Sequence, residues 1–315
     1  GPANVASTVD GVVNGLAGPS GLLAQAVAGL NGALSLLVGN PGLSVGVTTN
    51  VRGALNTFLD TPLTQPGSAV SINLRTGVIT ADLDALLAAT NGSGLSNLAP
   101  GPNGTEILSG PVLATLVSQV TGLLNSVPTL VSTLLTTTLN AATVTITGNV
   151  CLLGSGPNCG IGGTGINVNV NGTIAQVLAG TAPATIAIRV LGVPITVPVS
   201  ALLGALATPI TNALFSPTTG VVAAVAGSGS PLTQTVNGVV TSLSGPLQAL
   251  NTVVSLQGNV QQQPAPGVHR VTALRVTLLG GAAAQLDLGS AKVGPNLVVP
   301  LVAPTVASLT PDAGP

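Results

Sequence analysis

A long uncharged stretch is the feature that most restricts how this chain can fold. No acidic or basic residue lies between Glu106 and Arg189, and the mean hydropathy of the chain is +0.69. These values are typical of a membrane protein, yet Gly, Pro, Asn, Thr or Gln interrupt the apolar runs every few residues. No clean run reaches the ~20 apolar residues that a membrane helix needs, and the interfacial aromatic residues of membrane proteins are missing. We therefore predict a water-exposed fold with a nearly uncharged polar surface and no transmembrane segment.

The composition excludes several classes of function. Charged residues are 4% of the chain and the formal net charge is −1, so no basic surface exists to neutralise nucleic-acid phosphates. Phe58 and Phe215 are the only aromatic residues, which leaves no platform on which bases could stack. The hydrophobic content of 45% permits a sizeable core. Most catalytic mechanisms lack their residues in a chain with one His, one Lys and two Cys, so we predict neither an enzyme nor a cofactor.

The two cysteines, Cys151 and Cys159, enclose a short loop rich in Gly, Pro and Asn. No further Cys and no nearby His could complete a zinc site, so the pattern favours a local disulfide bond over a metal centre. Disulfides form and persist in oxidising compartments. A bond between these cysteines predicts a secreted, extracellular protein, and two reduced thiols are the alternative.

Three segments with similar endings suggest an internal repeat. They read S-V-G-V-T-T-N-V (44–51), T-V-T-I-T-G-N-V (143–150) and V-V-S-L-Q-G-N-V (253–260). Each follows a stretch of Leu and Val at helical spacing. Before the second segment, an apolar stripe runs from Val112 to Val127, and Pro128 predicts a break followed by a second short helix. Duplication and chance similarity are both open interpretations.

Segments with strand alternation follow these endings and predict hairpins. The predicted hairpins are 70–83 with a turn at Arg75-Thr76-Gly77, 166–174 with an Asn-Gly turn, 185–199, and 273–288 with a turn at Gly280-Gly281. Pro194 and Pro198 suit an edge strand, because proline cannot donate to a β-ladder.

These patterns predict an α+β fold in which short helical hairpins pack on antiparallel, sandwich-like β-sheets. The predicted organisation has three parts. An N-terminal helical and strand segment covers 1–50, a main β-rich domain with inserted helical hairpins covers 51–295, and an extended apolar segment covers 296–315.

Three stretches carry a family resemblance. They are S-I-N-L-R-T-G-V-I-T-A-D-L-D-A-L-L (71–87), G-P-N-G-T-E-I-L-S (101–109) and T-A-L-R-V-T-L-L-G-G-A-A-A-Q-L-D-L-G-S-A-K-V-G-P-N (272–296). In these the chain resembles the choice-of-anchor G family, which are secreted surface proteins of actinobacteria. The resemblance implies export, exposure at the cell envelope and a variable C-terminal attachment device, with no catalytic residues. An L-P-x-T-G sorting signal is missing, so the mode of attachment stays open.

The acidic residues offer one candidate metal site. Asp82 and Asp84 have the spacing of one strand face, and Glu106 downstream could join them around a calcium ion. A solvated pair, or a partnership with Arg75, is the favoured interpretation, and we predict no metal site. The arginines in or beside predicted strands each need an acidic partner wherever they are buried.

Two single residues offer weaker candidates for chemistry. His269 is the only histidine, but no nucleophile motif accompanies it, so we predict no catalytic role. Lys292, the sole lysine, is a candidate for an isopeptide bond to an asparagine, with Asp287 or Glu106 as the assisting acid.

The missing catalytic residues and the nearly uncharged surface predict a non-enzymatic structural protein. We expect a self-assembling subunit of a cell-surface filament, fibre or coat, whose partners are copies of itself and an anchor in the cell envelope. Weak charge repulsion between copies favours association. The candidate subunit-joining strand, which could add to the sheet of a neighbouring copy, consists of Leu297, Val298, Val299, Leu301 and Val302. A monomeric adhesin or binding module is the alternative, although sugar binding usually uses the exposed aromatic residues that this chain lacks.

Overall fold

The computed structural model describes residues 43–153, 163–191, 193–195 and 199–295, together with Thr8, Gly11 and Ala28. These residues form two compact units. The first unit contains the described residues up to Asp82 and those from Ala114 to Gln248. The second contains Leu83–Leu113 and the described residues from Ala249 onward. The sequence analysis predicted one main domain over 51–295. In the structure, the residues of that range are shared between the two compact units.

Pairs of strands and groups of helices follow one another along the described part of the chain. The strands are β1 (Leu43–Thr48), β2 (Val70–Ile72), β3 (Ile79–Ala81), β4 (Thr105–Glu106), β5 (Thr143–Leu153), β6 (Thr164–Thr173), β7 (Ala184–Val190), β8 (Val193–Ile195), β9 (Val254–Ala265), β10 (Val268–Leu278) and β11 (Ala284–Val293). The α-helices are α1 (Val51–Asp60), α2 (Leu83–Asn91), α3 (Gly110–Asn140), α4 (Ile174–Leu178), α5 (Val199–Ile210), α6 (Val221–Ala226), α7 (Pro231–Gln248) and α8 (Leu250–Val253). Short 3-10 helices cover Leu95–Asn97 and Leu279–Gly281, and a π-helix covers Thr211–Phe215.

The named strands form three antiparallel sheets. The first unit holds a five-stranded sheet in the order β1-β5-β6-β7-β8 and a two-stranded sheet of β2 and β3. The second unit holds a four-stranded sheet in the order β11-β10-β9-β4. The predicted α+β class with antiparallel sheets is therefore confirmed. Pro194 lies on β8, an edge strand as predicted, and Pro198 lies outside the described residues.

Alternation with a period of two explains the long strands of the first unit. On β5, Val144 and Ile146 are each 1% exposed, whereas Thr145 and Thr147 face solvent. On β6, the fully buried Val170 continues the same buried face. On β5 and β6 one side is therefore aliphatic, and the other carries uncharged Thr and Asn side chains; the neighbouring strand β7 carries Arg189.

The long helix α3 corrects the prediction of two helices separated at Pro128. Pro128 lies inside α3, although an interior proline removes a hydrogen bond and costs about 3 kcal/mol. The apolar stripe stays in phase across it, because Leu124, Val127, Val131 and Leu135 are at most 1% exposed. Each buried side chain of this kind contributes roughly 1.5–3 kcal/mol, so one continuous packed face outweighs the cost of the proline.

The Asn-Gly pair at 171–172 corrects a second prediction, the hairpin over 166–174. β6 runs through both residues, and Asn171 pairs with Thr145 and Gly172 with Val144 in the ladder to β5. A Cβ atom at Gly172 would lie 2.9 Å from Cβ of Ala182. This glycine therefore permits close packing within a strand and does not form a turn.

The other predicted hairpins occur near their predicted turns. β2 and β3 are joined through Gly77, which has a φ of 72°. β7 and β8 pair within 185–199, and β10 and β11 pair across the turn at Leu279–Gly281. None of the helices in the described ranges is both long enough and apolar enough to cross a membrane.

Candidate functional site

Positive charge is concentrated on the edge strand β11 and its neighbour β10 in the second unit. Of the six Lys and Arg residues in the chain, Arg270 and Arg275 lie on β10 and Lys292 lies on β11. Arg275 is only 8% exposed and needs a partner, because a buried unpaired charge is costly. Its Nε donates to Oδ1 of Asp287 at 2.8 Å, and its Nη2 donates to Oδ2 at 3.4 Å.

Asp287 also accepts a hydrogen bond from a second guanidinium. Nη2 of Arg270 lies 3.1 Å from Oδ2 of Asp287. The hydrogen bond from Arg275 is the main cause that lowers the pKa of the Asp287 carboxyl; burial opposes this shift, and the charges of both arginines reinforce it. The carboxylate is thus held ionised between two arginines, as the predicted need for acidic partners requires.

Strand β11 forms an open edge of this sheet. It pairs with β10 on one side, and in the described part of the chain no strand pairs with its other side. All ten of its residues are exposed except Asp287, which is intermediate. Its Leu286, Leu288 and Val293 are 56%, 45% and 69% exposed. We call the unpaired side of β11 the open edge.

Residues 294 and 295 leave β11 on the side of the β9–β10 turn. Gly294 lies against the carbonyl of Gly267 in the β9–β10 turn, where any side chain at position 294 would collide. A Cβ atom at Gly267 would lie 3.4 Å from Cβ of Pro295. The turn belongs to the opposite side of β11 from the open edge, so residues 294–295 do not fold back along that edge.

Arg270 and Arg275, which share the carboxylate of Asp287, form what we call the arginine cluster, and a polar groove lies beside it. It has a volume of about 430 Å³ and lies between the loop 100–102 and strands β9 and β10. Its lining contains three consecutive glutamines, one histidine and one arginine, and no acidic residue. The lining residues are Pro100, Gly101, Pro102, Gln261, Gln262, Gln263, His269, Arg270 and Val271. We call this site the glutamine groove.

Hydrogen bonds hold the glutamine groove in shape. The backbone N–H of Gln261 donates to the carbonyl of Gly101 at 2.7 Å. The side chain of Gln262 donates through Nε2 to the carbonyl of Pro102 at 3.4 Å and accepts through Oε1 from Nη2 of Arg275 at 3.2 Å. The loop, β9 and the buried arginine are therefore linked through one glutamine.

The candidate calcium-binding cluster of Asp82, Asp84 and Glu106 is not assembled, and the strand geometry expected for the two aspartates is wrong. Asp84 lies in the first turn of α2, where its Oδ1 accepts from the backbone N–H of Leu95 at 2.6 Å. Glu106 lies on β4 and accepts from the backbone N–H of Leu256 at 2.9 Å. Across the described ranges, no group of three or more His, Cys, Asp and Glu residues could hold a metal ion. Arg75 pairs with Asp60, a residue that sequence analysis did not nominate.

The remaining predicted site residues fall in different places. His269 is exposed, and it lies opposite Val293 in the ladder. Lys292 is exposed and lies opposite Arg270, while its nominated acid, Asp287, is held by the two arginines. Cys151 is disulfide-bonded. Cys159 and the predicted joining strand (Leu297, Val298, Val299, Leu301 and Val302) lie outside the described residues, so these predictions stay predictions.

Sequence analysis missed the glutamine groove. The run Gln261-Gln262-Gln263 and the pair His269-Arg270 flank a short turn, so a hairpin prediction there would have placed them side by side. The predictions instead placed the neighbouring hairpin at 273–288. Nothing in the sequence indicated that the loop 100–102 would line the groove, because the position of this loop depends on the pairing of β4 with β9.

Comparison with known proteins adds a family but no activity. A family model with the description "Domain of unknown function (DUF8394)" matches residues 3–294. No curated protein and no solved structure matches the chain. Because the family model spans well over half of the sequence, the chain belongs to the family described as Domain of unknown function (DUF8394).

Proposed function

We propose that this chain is a non-enzymatic, extracellular structural protein that assembles with copies of itself into a cell-surface filament, fibre or coat. In this proposal the copies are joined by strand exchange, in which the segment 297–302 of one copy pairs with the open edge of the next. The open edge of β11 is the single observation that carries the proposal.

Strand addition suits both partners chemically. It draws its affinity from main-chain hydrogen bonds, and an exposed edge strand presents a row of unpaired N–H and C=O groups. The segment 297–302 reads L-V-V-P-L-V and carries no charge. Its apolar side chains would cover Leu286 and Leu288, which are 56% and 45% exposed on β11. Pro300 lacks an N–H group and would have to face away from the new ladder.

The electrostatics and the redox state support assembly outside the cell. A net charge of −1 on 315 residues gives weak repulsion between copies. A disulfide bond at Cys151 is expected of an exported protein. The resemblance to secreted surface proteins agrees with export.

Negative-stain microscopy of the purified full-length protein tests the proposal. Regular filaments are expected for the native chain, and Leu286→Lys should abolish them, because lysine on an edge strand discourages pairing with another chain. Leu279→Lys is the matched control: Leu279 is also 56% exposed but lies in the turn before β11. Filaments that survive Leu286→Lys, or a native protein that stays monomeric in sedimentation at high concentration, would refute the joining mechanism.

A cross-linking experiment identifies the two partners of the joint. One preparation carries Leu288→Cys and the other carries Val299→Cys, and the two are mixed under oxidising conditions. Strand exchange predicts a disulfide-linked heterodimer on a non-reducing gel, whereas each preparation alone stays mostly unlinked. A second mixture with Leu279→Cys in place of Leu288→Cys controls for random collision. Equal yields in the two mixtures would show that the open edge is not the acceptor.

A further inference from the structure

The arginine cluster carries more positive charge than its acid neutralises. Arg270 and Arg275 share the single carboxylate of Asp287, and Arg275 makes the two-pronged contact with it. Arg270 contributes one N–H to that carboxylate through Nη2, and its side chain is 40% exposed. A guanidinium has five N–H donors, so most donors of Arg270 stay available to a ligand.

A second positive charge lies next to Arg270. Lys292 is its direct partner in the β10–β11 ladder, and Gln262 is its direct partner in the β9–β10 ladder. Directly paired residues place their Cβ atoms about 4.5–5.5 Å apart on the same face of a sheet. Gln262, Arg270 and Lys292 therefore form one row across three strands, and the two like charges in this row repel each other. An anion at this row would relieve the repulsion.

The glutamine groove supplies neutral hydrogen-bonding groups beside this charge. The loop 100–102 holds the backbone of Gln261 and the side chain of Gln262, and Gln263 extends the same lining. The side chain of Gln261 donates through Nε2 to Oδ1 of Asn259 at 3.2 Å. Each of these amides has a second N–H and a second lone pair for a ligand. A side-chain amide can both donate and accept, which is the pairing that hydroxyl groups require. The lining contains no acidic residue that would repel an anion.

We propose that the glutamine groove binds an anionic saccharide, with Arg270 on its carboxylate or phosphate group and the glutamine amides on its hydroxyl groups. Lys292 adds attraction from the neighbouring strand. Arginine matches both anions, because its planar fork forms paired hydrogen bonds with carboxylate and with phosphate. Recognition through charge and amides also removes the need for the stacking aromatic residues that neutral sugar rings usually require.

The single histidine gives a direct test of this site. His269 lines the groove and is the only histidine in the chain, so its side-chain NMR signals are unambiguous. We would titrate the full-length protein with three sugars of the same ring: glucuronate, glucose 6-phosphate and glucose. The proposal expects saturable shifts of the His269 signals with at least one anionic sugar and none with glucose. Comparison of the two anions shows whether a carboxylate or a phosphate is preferred.

Variants link any binding to the proposed residues. Arg270→Gln should weaken the binding of the anionic sugar about tenfold or more, since a charge-assisted contact is lost. Lys292→Gln should weaken the binding by a smaller factor. This second variant still tests the proposal if Arg270→Gln does not fold. Arg75→Gln is the matched control in the first unit, where an exposed arginine pairs with Asp60, and it should change nothing.

Several results would overturn the proposal. Equal shifts with glucose would show that charge is not recognised, and unchanged affinity in both Arg270→Gln and Lys292→Gln would place the binding elsewhere. N-acetylglutamate, tested in the same way, provides the comparison with an acidic peptide. If it binds as tightly as either sugar, the groove recognises carboxylates in general and the assignment to saccharides is wrong. Absence of any shift up to high millimolar concentrations of all the anions would also refute the site.

Discussion

The five-stranded sheet of the first unit and the four-stranded sheet of the second are both antiparallel, but their strands are stabilised by different side chains. In the first, paired strands bury aliphatic residues such as Val144, Ile146 and Val170. In the second, the strands β10 and β11 are joined through polar side chains. Thr272 and Ser290 share a hydrogen bond of 3.0 Å, and Arg275 binds Asp287.

This difference explains how an outer strand can remain exposed. Aliphatic packing needs a covering layer, whereas hydrogen bonds and ion pairs between neighbouring strands work without one. β11 thus stays in its sheet while all its residues but Asp287 face solvent. Three of the six Lys and Arg residues of the chain lie on β10 and β11, the pair of strands that depends most on polar pairing.

The largest expected effect is in the aliphatic core of the first unit. Leu124→Ala should lower the free energy of unfolding of that unit by about 2–5 kcal/mol, because Leu124 is fully buried on α3 and its loss leaves a cavity. Leu130→Ala on the same helix is the control: Leu130 is 40% exposed, and the loss should stay below about 1 kcal/mol.

Urea unfolding followed by NMR can separate the two units. Phe58 and Phe215 are the only aromatic residues and both belong to the first unit, while His269 belongs to the second. Leu124→Ala should shift the transition of the phenylalanine signals to lower urea. If the His269 transition moves by the same amount, the units unfold together, and the comparison between two separately stabilised sheets fails.

A smaller effect is expected at the buried ion pair of the second unit. Arg275→Met should destabilise that unit by about 2 kcal/mol, since removal of one member of a buried pair leaves the other without its main partner. Arg270 still contacts Asp287 and limits the loss. The matched control is Arg75→Met, whose side chain is 37% exposed, and its ion pair should contribute less than about 1 kcal/mol. Equal effects of the two variants on their units would show that burial does not distinguish them.

The pH dependence of the second unit follows from the same pair. Arg275 lowers the pKa of Asp287 in the folded state, so the stabilisation is present above the ordinary Asp range and is lost as the pH falls through the lower folded pKa. The urea midpoint followed by the His269 signals should therefore fall as the pH drops below the ordinary Asp range. Asp287→Asn should remove part of this dependence, and an unchanged pH profile in that variant would contradict the assignment.

Local sequence patterns predicted some elements of the two units correctly and others wrongly. Short-range patterns succeeded: the turn at Gly280-Gly281 predicted the β10–β11 hairpin, and Pro194 predicted an edge strand. They failed where distant packing overrides a local signal. Pro128 stays in a helix because its stripe is buried on both sides of it, and Gly172 stays in a strand because β5 extends past it.

The candidate sites were predictable only in part. Once the turn at 279–281 fixes the register, Arg275 falls opposite Asp287, so this pair could have been proposed from the hairpin alone. The second contact of Asp287, with Arg270, is not a direct ladder pairing and needed the three-dimensional structure. The same holds for the loop 100–102, which reaches the groove through contacts more than 150 residues apart, such as the one between Gln262 and Pro102.

The smallest expected effect on folding is at the open edge itself. Leu286→Lys should change the free energy of unfolding of the second unit by less than about 0.5 kcal/mol, because the side chain is 56% exposed and the strand is held through Asp287 and Ser290. The His269 urea transition measures this change in the same variant that tests filament formation. An unchanged transition together with lost filaments would show that β11 serves assembly without serving the stability of its own subunit. A large destabilisation would mean that Leu286 packs within its own sheet, and polar pairing alone would then not explain how β11 stays in place.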